Sequence, residues 1–345
     1  MLTFANKNNG AKNKLKILRL MNSKKITFIG SGSIATALAN SISSKTDDPI
    51  YLLSIEEEVI ESINSSHKNN KYFPFIHLNK NVVATSDKNI LNDSDIIFIA
   101  LPSSEVLNYI QKNKERINSK AILINLAKGF GDDRRTIVQC LEDSCTNPLA
   151  TLKGPSFARD IINNFHTGLT LGVAVQDTAS DLTKLFKGTN IHLDYSQDIL
   201  GVELISILKN IYAIVMGIVD AHYNSPNLRF MILTNAFREM RGILKQFGGK
   251  EETLFNYCGF GDFGLTALND LSRNRTMGLL IGKGFLTKDI SDQVLLEGRI
   301  AVNVFCEEIS KKHSLADFHI ISELYNVFYK DMKVTSFVNS VLNNR

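Results

Sequence analysis

The sequence predicts an α/β domain with a doubly wound parallel sheet and antiparallel additions, followed by an all-α domain. From residue 26 to about residue 196, short β-branched and apolar runs alternate with amphipathic helical segments, which is the pattern of successive βαβ units. After Asp198 the apolar residues recur with a period of about 3.6, as on one face of a helix. The chain has 345 residues, 44% of them hydrophobic, which is enough for two cores.

The individual elements follow from these periodicities. The predicted strands span residues 26–30, 50–54, 82–85, 95–101, 121–126, 150–152, 169–175 and 191–194. The predicted helices of the second part span residues 200–223, 227–247, 251–257, 274–283, 287–292, 297–312 and 318–328. We therefore expect two domains, at 23–197 and 198–345, with a cleft between them that holds the chemistry.

The first 22 residues do not fit either pattern. Residues 1–20 carry five lysines or arginines and no acid, so removing these charges from the formal net charge of +4 leaves −1. The basic charge is local, and no nucleic-acid partner is expected. The segment has neither the apolar core of a secretory signal nor the composition of a transit peptide. We expect residues 1–22 to be a disordered basic leader or a start-site artefact, with Met21 as an alternative start.

Two further features limit the class of protein. The four cysteines form no CxxC pair and no zinc-type spacing with histidine, which predicts free thiols, no metal site and a reducing, cytoplasmic location. The most apolar segment, residues 205–219, is interrupted by Lys209 and Asn210 and is too short to cross a bilayer comfortably. We expect it to be a buried helix and expect no membrane span.

A glycine-rich motif follows the first predicted strand and begins the first predicted helix. Gly30, Gly32 and Ala35 form a G-x-G-x-x-A pattern. Gly30 permits a tight turn, Gly32 lets the backbone approach a pyrophosphate, and Ala35 allows the helix to pack closely on the strand. N–H groups at the helix N-terminus then bind the phosphates. The motif predicts a Rossmann-like dinucleotide-binding domain.

The end of the second predicted strand bears on the choice between NAD and NADP. Three glutamates, residues 56–58, stand where a carboxylate commonly binds the ribose 2′-OH of NAD. The same glutamates can instead complement the dipole at the start of a helix. No arginine nearby is available for the 2′-phosphate of NADP. The sequence favours NAD, and both cofactors remain candidates.

The run Ser272-Arg273-Asn274-Arg275 suggests the phosphate end of a substrate pocket. A guanidinium binds phosphate bidentately and stays charged, and a neighbouring amide donates further hydrogen bonds. The alternative is a solvated helix start, with Ser272 as the N-cap and both arginines in water.

From about residue 25 to about residue 330 the chain resembles the NAD(P)-dependent glycerol-3-phosphate dehydrogenase family. The shared motifs occur in the family's order and spacing. They are Gly30-Ser31-Gly32-Ser33, Thr36-Ala37-Leu38-Ala39, Tyr72-Phe73-Pro74, Leu101-Pro102-Ser103, Ala127-Lys128-Gly129, Gly154-Pro155-Ser156-Phe157-Ala158, Leu208-Lys209-Asn210, Gly259-Phe260-Gly261-Asp262, Leu265-Thr266, Ser272-Arg273-Asn274-Arg275 and Glu297-Gly298. The resemblance implies interconversion of dihydroxyacetone phosphate and sn-glycerol 3-phosphate with NAD or NADP, in a cytoplasmic homodimer that supplies phospholipid synthesis.

The resemblance also implies roles for single residues. Lys209 would donate a proton to the carbonyl oxygen during reduction and accept it during oxidation, and Asp262 would orient Lys209. A lysine can do this if burial and a neighbouring cation such as Lys128 lower its pKa, while Asp262 limits the shift. The alternative is a surface lysine whose ammonium reaches water.

The implied binding residues form two sets. For the substrate they are Lys128, Gly154, Ser156, Lys209, Asp262, Ser272, Arg273 and Asn274. For the cofactor they are Gly30, Ser31, Gly32, Ser33, Ile34, Ala35, Lys128, Ala158, Arg273, Leu295 and Glu297. Ser156 could in addition cap the helix that follows it.

Three departures from the family pattern leave other functions open. Ile34 replaces an aromatic residue, Asn235 stands where the family has an arginine, and residues 221–226 replace a glycine-rich turn. A non-catalytic NAD(P)-binding sensor would fit the last two changes, but the presence of Lys209 and Asp262 disfavours it. A β-hydroxyacid-type dehydrogenase would keep the fold and act on unphosphorylated substrates, which the arginine-containing run disfavours.

Overall fold

The computed structural model of the protein describes residues 24–285, 293–311 and 314–343. The basic leader at 1–22 and the helix predicted at 287–292 lie outside the described residues.

One sheet of eight strands organises the first part of the chain. The strands are β1 (Ile26–Ile29), β2 (Ile50–Leu53), β3 (Val82–Thr85), β4 (Ile96–Ile99), β5 (Ile122–Asn125), β6 (Leu149–Lys153), β7 (Thr167–Val173) and β8 (Ile191–Ser196). Their order across the sheet is β3-β2-β1-β4-β5-β6-β7-β8. Every neighbouring pair is parallel except β6 and β7, which are antiparallel. The predicted fold class is confirmed.

Helices cover both faces of this sheet. They are α1 (Ser33–Ser43), α2 (Glu57–Ser66), α3 (Ser103–Asn113), α4 (Ile137–Ser144), α5 (Ala158–Ile162) and α6 (Gln176–Phe186). On β4, Ile96 and Phe98 belong to one apolar core, and Ile97 and Ile99 belong to another. Burial on both faces explains why the central strands read as continuous apolar runs rather than alternating ones.

The second part of the chain is helical. Its α-helices are α7 (Ile199–His222), α8 (Pro226–Gln246), α9 (Asp262–Leu268), α10 (Arg273–Gly282), α11 (Gln293–Ser310), α12 (His319–Tyr329) and α13 (Val334–Asn343). The helix predicted at 251–257 is a short 3₁₀ turn at Glu251–Phe255, and a π-helical turn at Tyr257–Gly261 leads into α9. Helices α9 and α13 were not predicted.

Helix α7 forms the core of this second part. By length and composition it could cross a membrane, but 94% of its most apolar stretch is buried inside the protein. It starts three residues after the end of β8, at Ile199, and Asp198 caps its N-terminus by accepting a hydrogen bond from the N–H of Gly201 at 2.8 Å. The sheet and the helical core are therefore joined directly through α7.

Helix α10 packs backbone to backbone against α7. A Cβ added to Gly278 would lie 2.0 Å from the carbonyl oxygen of Ile214, and one added to Gly217 would lie 2.1 Å from the carbonyl oxygen of Arg275. Both distances are far inside van der Waals contact, so only glycine allows the two helices to approach this closely. Because Lys209 lies on α7 and Arg273 begins α10, this contact sets the separation of two candidate site residues.

Gly278→Ala is expected to lower the free energy of unfolding by at least about 2 kcal/mol, because the added methyl group has to push α10 away from α7. Gly264 is the matched control, since it also lies in a helix but a Cβ there would meet no atom within 4 Å. Gly264→Ala is expected to be neutral or stabilising by up to about 1 kcal/mol. Urea unfolding of both variants measures the difference, and equal stabilities would show that the α7–α10 contact can relax freely.

Candidate active site

A cleft of about 520 Å³ lies at the carboxyl ends of β1, β4 and β5, between the sheet and the helical part of the chain. This is where the strand order reverses, which is the usual ligand position in a doubly wound sheet. The predicted site residues that line it are Ser33, Ile34, Lys128, Ser156, Ala158, Lys209, Ser272, Arg273, Asn274 and Glu297. The structure thus brings together residues from α1, α5, α7, α10 and α11 and from the loops that follow β5 and β6.

A second cavity of about 920 Å³ adjoins this cleft. The residues common to both are Ser103, Lys128, Asn210, Asn274 and Glu297. The hydroxyl of Ser103, at the start of α3, donates a hydrogen bond to Glu297 Oε1 on α11 at 3.3 Å. This hydrogen bond crosses from one part of the protein to the other where the two cavities meet.

The candidate catalytic lysine is buried in the floor of the cleft. Lys209 is 4% exposed, and its Nζ donates to Asp262 Oδ1 at 2.7 Å and to Thr266 Oγ1 at 2.9 Å. These contacts use two of the three ammonium protons, and no third acceptor is bonded to it among the described residues. The interpretation of Lys209 as a lysine that reaches water is therefore wrong, and one N–H is available for a ligand in the cleft.

Asp262 lies behind this lysine and joins it to a second one. The Nζ of Lys128 donates to Asp262 Oδ2 at 2.8 Å and to the carbonyl oxygen of Gly154 at 3.3 Å. Asp262 is 2% exposed, and it begins α9, where it lies one turn before Thr266 on the same helix face. One carboxylate therefore holds both lysines at the cleft.

The electrostatics of this cluster favour a lysine that can exchange its proton near neutral pH. Burial lowers the pKa of Lys209 to about 7, the carboxylate of Asp262 opposes the shift, and the nearby charge of Lys128 adds to it. Burial acts to raise the pKa of Asp262, but Lys128 and Lys209 outweigh it and hold the pKa below its usual value. Asp262 thus stays ionised while Lys209 titrates.

The glycine-rich loop has the shape that a dinucleotide requires. Gly30 has a φ of +109°, and a Cβ there would lie 2.6 Å from the carbonyl oxygen of Ala100. A Cβ at Gly32 would meet nothing within 4 Å, and Gly32 is the N-cap of α1 without any side-chain cap. Ala35 is fully buried against the sheet. The open helix N-terminus fits the pyrophosphate of NAD or NADP.

Two polar side chains fix this loop from outside. Ser31 Oγ donates to Ser54 Oγ at 2.7 Å, and Asn69 Nδ2 donates to the carbonyl oxygen of Ser31 at 2.9 Å.

For the three glutamates that follow Ser54, the sequence leaves two interpretations open, ribose binding and compensation of the helix dipole. Glu57 and Glu58 lie in the first turn of α2, where they complement the helix dipole. Glu56 precedes this turn and forms an ion pair with Lys71.

The two arginines at the start of α10 have different environments. Ser272 is the N-cap, because its hydroxyl accepts a hydrogen bond from the N–H of Arg275 at 3.3 Å. Arg275 is 5% exposed and forms an ion pair with Asp220 at 2.7 Å, so the interpretation that places both arginines in water is wrong. Arg273 is exposed at the cleft, and no ion-pair partner is found for it in the described part of the chain.

The remaining predicted residues lie around the same cleft. Gly154 has a φ of +154°, and a Cβ there would lie 2.8 Å from the carbonyl oxygen of Gly168. Ser156 lines the cleft but does not cap α5, whose N-cap is Phe157 and which has no side-chain cap. The capping interpretation of Ser156 is therefore wrong. Leu295 lies on α11, and its side chain is outside the described residues.

The sequence assigned no individual role to three residues that the structure places in the site. They are Thr266, Asn210 and Ser103. All three belong to motifs shared with the family, and the spacing of four residues between Asp262 and Thr266 places both on one face of α9. Asn210 follows Lys209 directly, and Ser103 contacts Glu297 from a distant part of the chain.

Within 24–285, 293–311 and 314–343, no group of three or more His, Cys, Asp or Glu side chains could hold an ion. All four cysteines lie in these ranges as free thiols.

Comparison with known proteins agrees with this geometry. The profile described as NAD-dependent glycerol-3-phosphate dehydrogenase N-terminus matches residues 25–179, and the corresponding C-terminus profile matches residues 198–339. The chain belongs to the NAD-dependent glycerol-3-phosphate dehydrogenase family. The resemblance seen in the motifs is confirmed.

Relatives with the name glycerol-3-phosphate dehydrogenase (NAD(P)+) span most of the chain. The protein from Methanothermobacter thermautotrophicus is 35% identical over 261 residues, which is 75% of this chain and 80% of the relative. The protein from Clostridium botulinum strain Eklund 17B is 30% identical over 317 residues, which is 90% of this chain and 95% of the relative. The crystal structure of glycerol-3-phosphate dehydrogenase from Coxiella burnetii has a TM-score of 0.83, with 27% identity over 93% of this chain and 99% of that one.

The departures from the glycerol-3-phosphate dehydrogenase pattern lie apart from the cleft, with one exception. Ile34 lines it directly. Asn235 is half-buried on α8, and residues 221–226 span the end of α7, the connection and the start of α8, with Ser225 as the N-cap of α8. Neither of the last two is among the described residues that line the two cavities.

Proposed function

We propose that this protein interconverts dihydroxyacetone phosphate and sn-glycerol 3-phosphate by hydride transfer with a nicotinamide cofactor. The observation that carries the proposal is the buried ammonium of Lys209, held by Asp262 in the same cleft as the exposed guanidinium of Arg273. A proton donor and a phosphate ligand at one cleft match a small phosphorylated ketone. A binding module would not require the positioned donor, which disfavours the sensor hypothesis.

In this proposal the residues of the cleft bind the substrate phosphate and transfer a proton to the substrate. Arg273, Asn274 and Ser272 bind the phosphate, together with Lys128. Lys209 donates a proton to the C2 carbonyl oxygen of the ketone as that oxygen gains negative charge, and becomes a neutral amine. In the reverse direction the neutral amine accepts the proton of the C2 hydroxyl. Asp262 orients Lys209 throughout and stabilises its charged form.

The remaining assigned residues hold the cofactor. The loop from Gly30 to Ala35 would bind the pyrophosphate, and Ala158, Arg273, Leu295 and Glu297 would contact other parts of it. When bound, the reduced nicotinamide supplies a hydride to C2. Glu56 stands at the end of β2 and supports NAD over NADP, because a carboxylate there accepts a hydrogen bond from a 2′-OH and repels a 2′-phosphate.

The pKa of Lys209 gives the two directions opposite pH dependences. Because burial lowers this pKa to about 7, Lys209 is mostly protonated below that pH and mostly neutral above it. We expect kcat for ketone reduction to fall as pH rises through this region, and kcat for glycerol phosphate oxidation to rise. Steady-state rates over a pH series in both directions measure this. Profiles that move in the same direction would contradict the assignment of Lys209 as the proton carrier.

A spectrophotometric assay of the purified protein tests the proposed function. Loss of reduced nicotinamide is followed with dihydroxyacetone phosphate, with unphosphorylated dihydroxyacetone and with a β-keto acid, using NADH and NADPH in turn. We expect turnover with the phosphorylated ketone and a higher kcat/KM with NADH. Binding of NADH without turnover would favour the sensor, and preference for the β-keto acid would favour a hydroxyacid dehydrogenase.

We further propose a cytoplasmic homodimer that supplies glycerol phosphate for phospholipid synthesis. Free thiols support a reducing compartment. An aromatic cluster of Phe237, Phe255 and Phe260, in which Phe255 is 75% exposed, supports burial in a subunit interface. Sedimentation of a single-chain mass would contradict the dimer, and unchanged cellular glycerol phosphate after loss of the protein would contradict the supply role.

A further inference from the structure

A buried ion pair lies beneath the cleft and is not part of the proposed machinery. Lys153 is the last residue of β6, and Glu203 lies in the second turn of α7. Each is 1% exposed, and Lys153 Nζ lies 3.1 Å from Glu203 Oε1. Taking two charges out of water is costly, so a buried pair is weak evidence for a role in stability alone. The contacts of this pair indicate what else it does.

All three ammonium protons of Lys153 have an acceptor. Besides Glu203, its Nζ donates to the carbonyl oxygens of Asn125 and Ala127. Glu203 in turn accepts hydrogen bonds from Asn125 Nδ2 at 2.8 Å and from Thr151 Oγ1 at 2.6 Å. The pair therefore ties the end of β5 and the residues after it to β6 and α7.

This network holds both the backbone and the side-chain ammonium of Lys128. Ala127, whose carbonyl oxygen is bound by Lys153, directly precedes Lys128 in the chain. Gly154, which directly follows Lys153, supplies the carbonyl oxygen that accepts a hydrogen bond from Lys128 Nζ. The same Nζ donates to Asp262, which holds Lys209. A shift of Lys153 would therefore displace both the backbone of Lys128 and the acceptor of its side chain.

We propose that Lys153 is a positioning residue for this enzyme, which fixes Lys128 against Asp262 and thereby places the substrate phosphate relative to Lys209. The proposal rests on the proposed function. Lys153 itself does not line the cleft, so it acts through its neighbours and not on the substrate.

Lys153→Met tests this role, because methionine fills a similar volume and cannot donate to Asn125 or Ala127. A displacement of about 1 Å can cost about a hundredfold in rate, so we expect kcat/KM for dihydroxyacetone phosphate to fall by about tenfold to a hundredfold. Most of the loss should appear in binding of the phosphorylated ketone, measured by calorimetry on the NADH complex. The dissociation constant of NADH should change much less than that of the ketone, since two strands separate β6 from β1 and its glycine-rich loop, and Lys153 reaches the cofactor site only through Lys128.

The single variant leaves Glu203 buried without a counter-charge, so part of its effect will be lost stability. The double variant Lys153→Met with Glu203→Gln removes both charges and keeps the side-chain carbonyl that accepts from Asn125 and Thr151. It loses the acceptor of the Val138 N–H, which Glu203 Oε2 binds at 3.3 Å. We expect the double variant to regain the part of the melting temperature that the uncompensated charge of Glu203 costs, while kcat/KM stays low. Recovery of kcat/KM together with the melting temperature would show that the pair is only structural and would overturn the proposal.

Calorimetry separates this proposal from the proposed function. A parent protein that binds dihydroxyacetone phosphate but does not reduce it would contradict the proposed function, and Lys153→Met should still weaken that binding. Unchanged binding in the variant would overturn the positioning role whatever the turnover of the parent. A parent that does not bind the phosphorylated ketone at all would contradict both.

Discussion

Replacing Lys209 with methionine is expected to lower kcat for dihydroxyacetone phosphate reduction by at least about a hundredfold, because a positioned acid and its charge are lost where the carbonyl oxygen becomes negative. The folded state should survive. Methionine occupies a similar volume, and Asp262 keeps Lys128 as its partner at 2.8 Å, so no buried carboxylate is left uncompensated. Steady-state kinetics and thermal unfolding measure the two effects.

The control for this variant is cofactor binding, measured by titration of NADH fluorescence. Lys209 contacts Asp262 and Thr266 and not the glycine-rich loop, so the dissociation constant of NADH should be unchanged. A Lys209→Met protein that folds, binds NADH and still reduces the ketone within a few-fold of the parent rate would exclude Lys209 as the proton donor.

Arg273→Ala is expected to weaken the binding of dihydroxyacetone phosphate far more than the binding of NADH. Loss of a charge-assisted bidentate contact to phosphate costs about 2–4 kcal/mol, which is roughly thirtyfold to a thousandfold in kcat/KM. The side chain is exposed and has no ion-pair partner in the described ranges, so its removal should leave the melting temperature nearly unchanged. Separate binding titrations of the two ligands provide the measurement.

Two further substitutions on α10 make the result specific. Arg273→Lys keeps the charge without the planar fork, so we expect an intermediate loss. Thr276→Ala lies one turn further along α10, is exposed and is not among the described cleft residues, so it should behave like the parent. Equal weakening of both ligands by Arg273→Ala would mean that Arg273 is not primarily a phosphate ligand.

Most of the sheet could be predicted from sequence because each buried strand is a short apolar run between turn residues. Five of the seven α-helices described in the second part correspond to predicted segments, and α9 and α13 do not. Helix α9 has only seven residues and follows a glycine-rich π-helical turn, which hides its periodicity. Helix α13 carries Val334, Phe337, Val338 and Val341 at helical spacing, so its signal was present near the end of the chain.

In the candidate site, features set by neighbouring residues could be predicted from the sequence, and contacts between residues far apart in the chain could not. The glycine-rich loop and the N-cap of α10 follow from neighbouring residues. The pairing of Lys209 with Asp262 was available only through the resemblance, since 53 residues separate them. The sequence gives no sign of the buried ion pairs of Arg275 with Asp220 and of Lys153 with Glu203. Each partner lies about fifty residues away, and charge alone does not indicate which lysines or arginines become buried.

The most direct test of the central claim is to follow the hydride itself. Purified protein is incubated with dihydroxyacetone phosphate and NADH that carries deuterium on the transferred position of the nicotinamide ring, and the product is analysed by mass spectrometry. We expect sn-glycerol 3-phosphate with a single deuterium at C2 from the parent protein, and almost none from Lys209→Met. Absence of glycerol phosphate from the parent, or a product without deuterium at C2, would contradict the account.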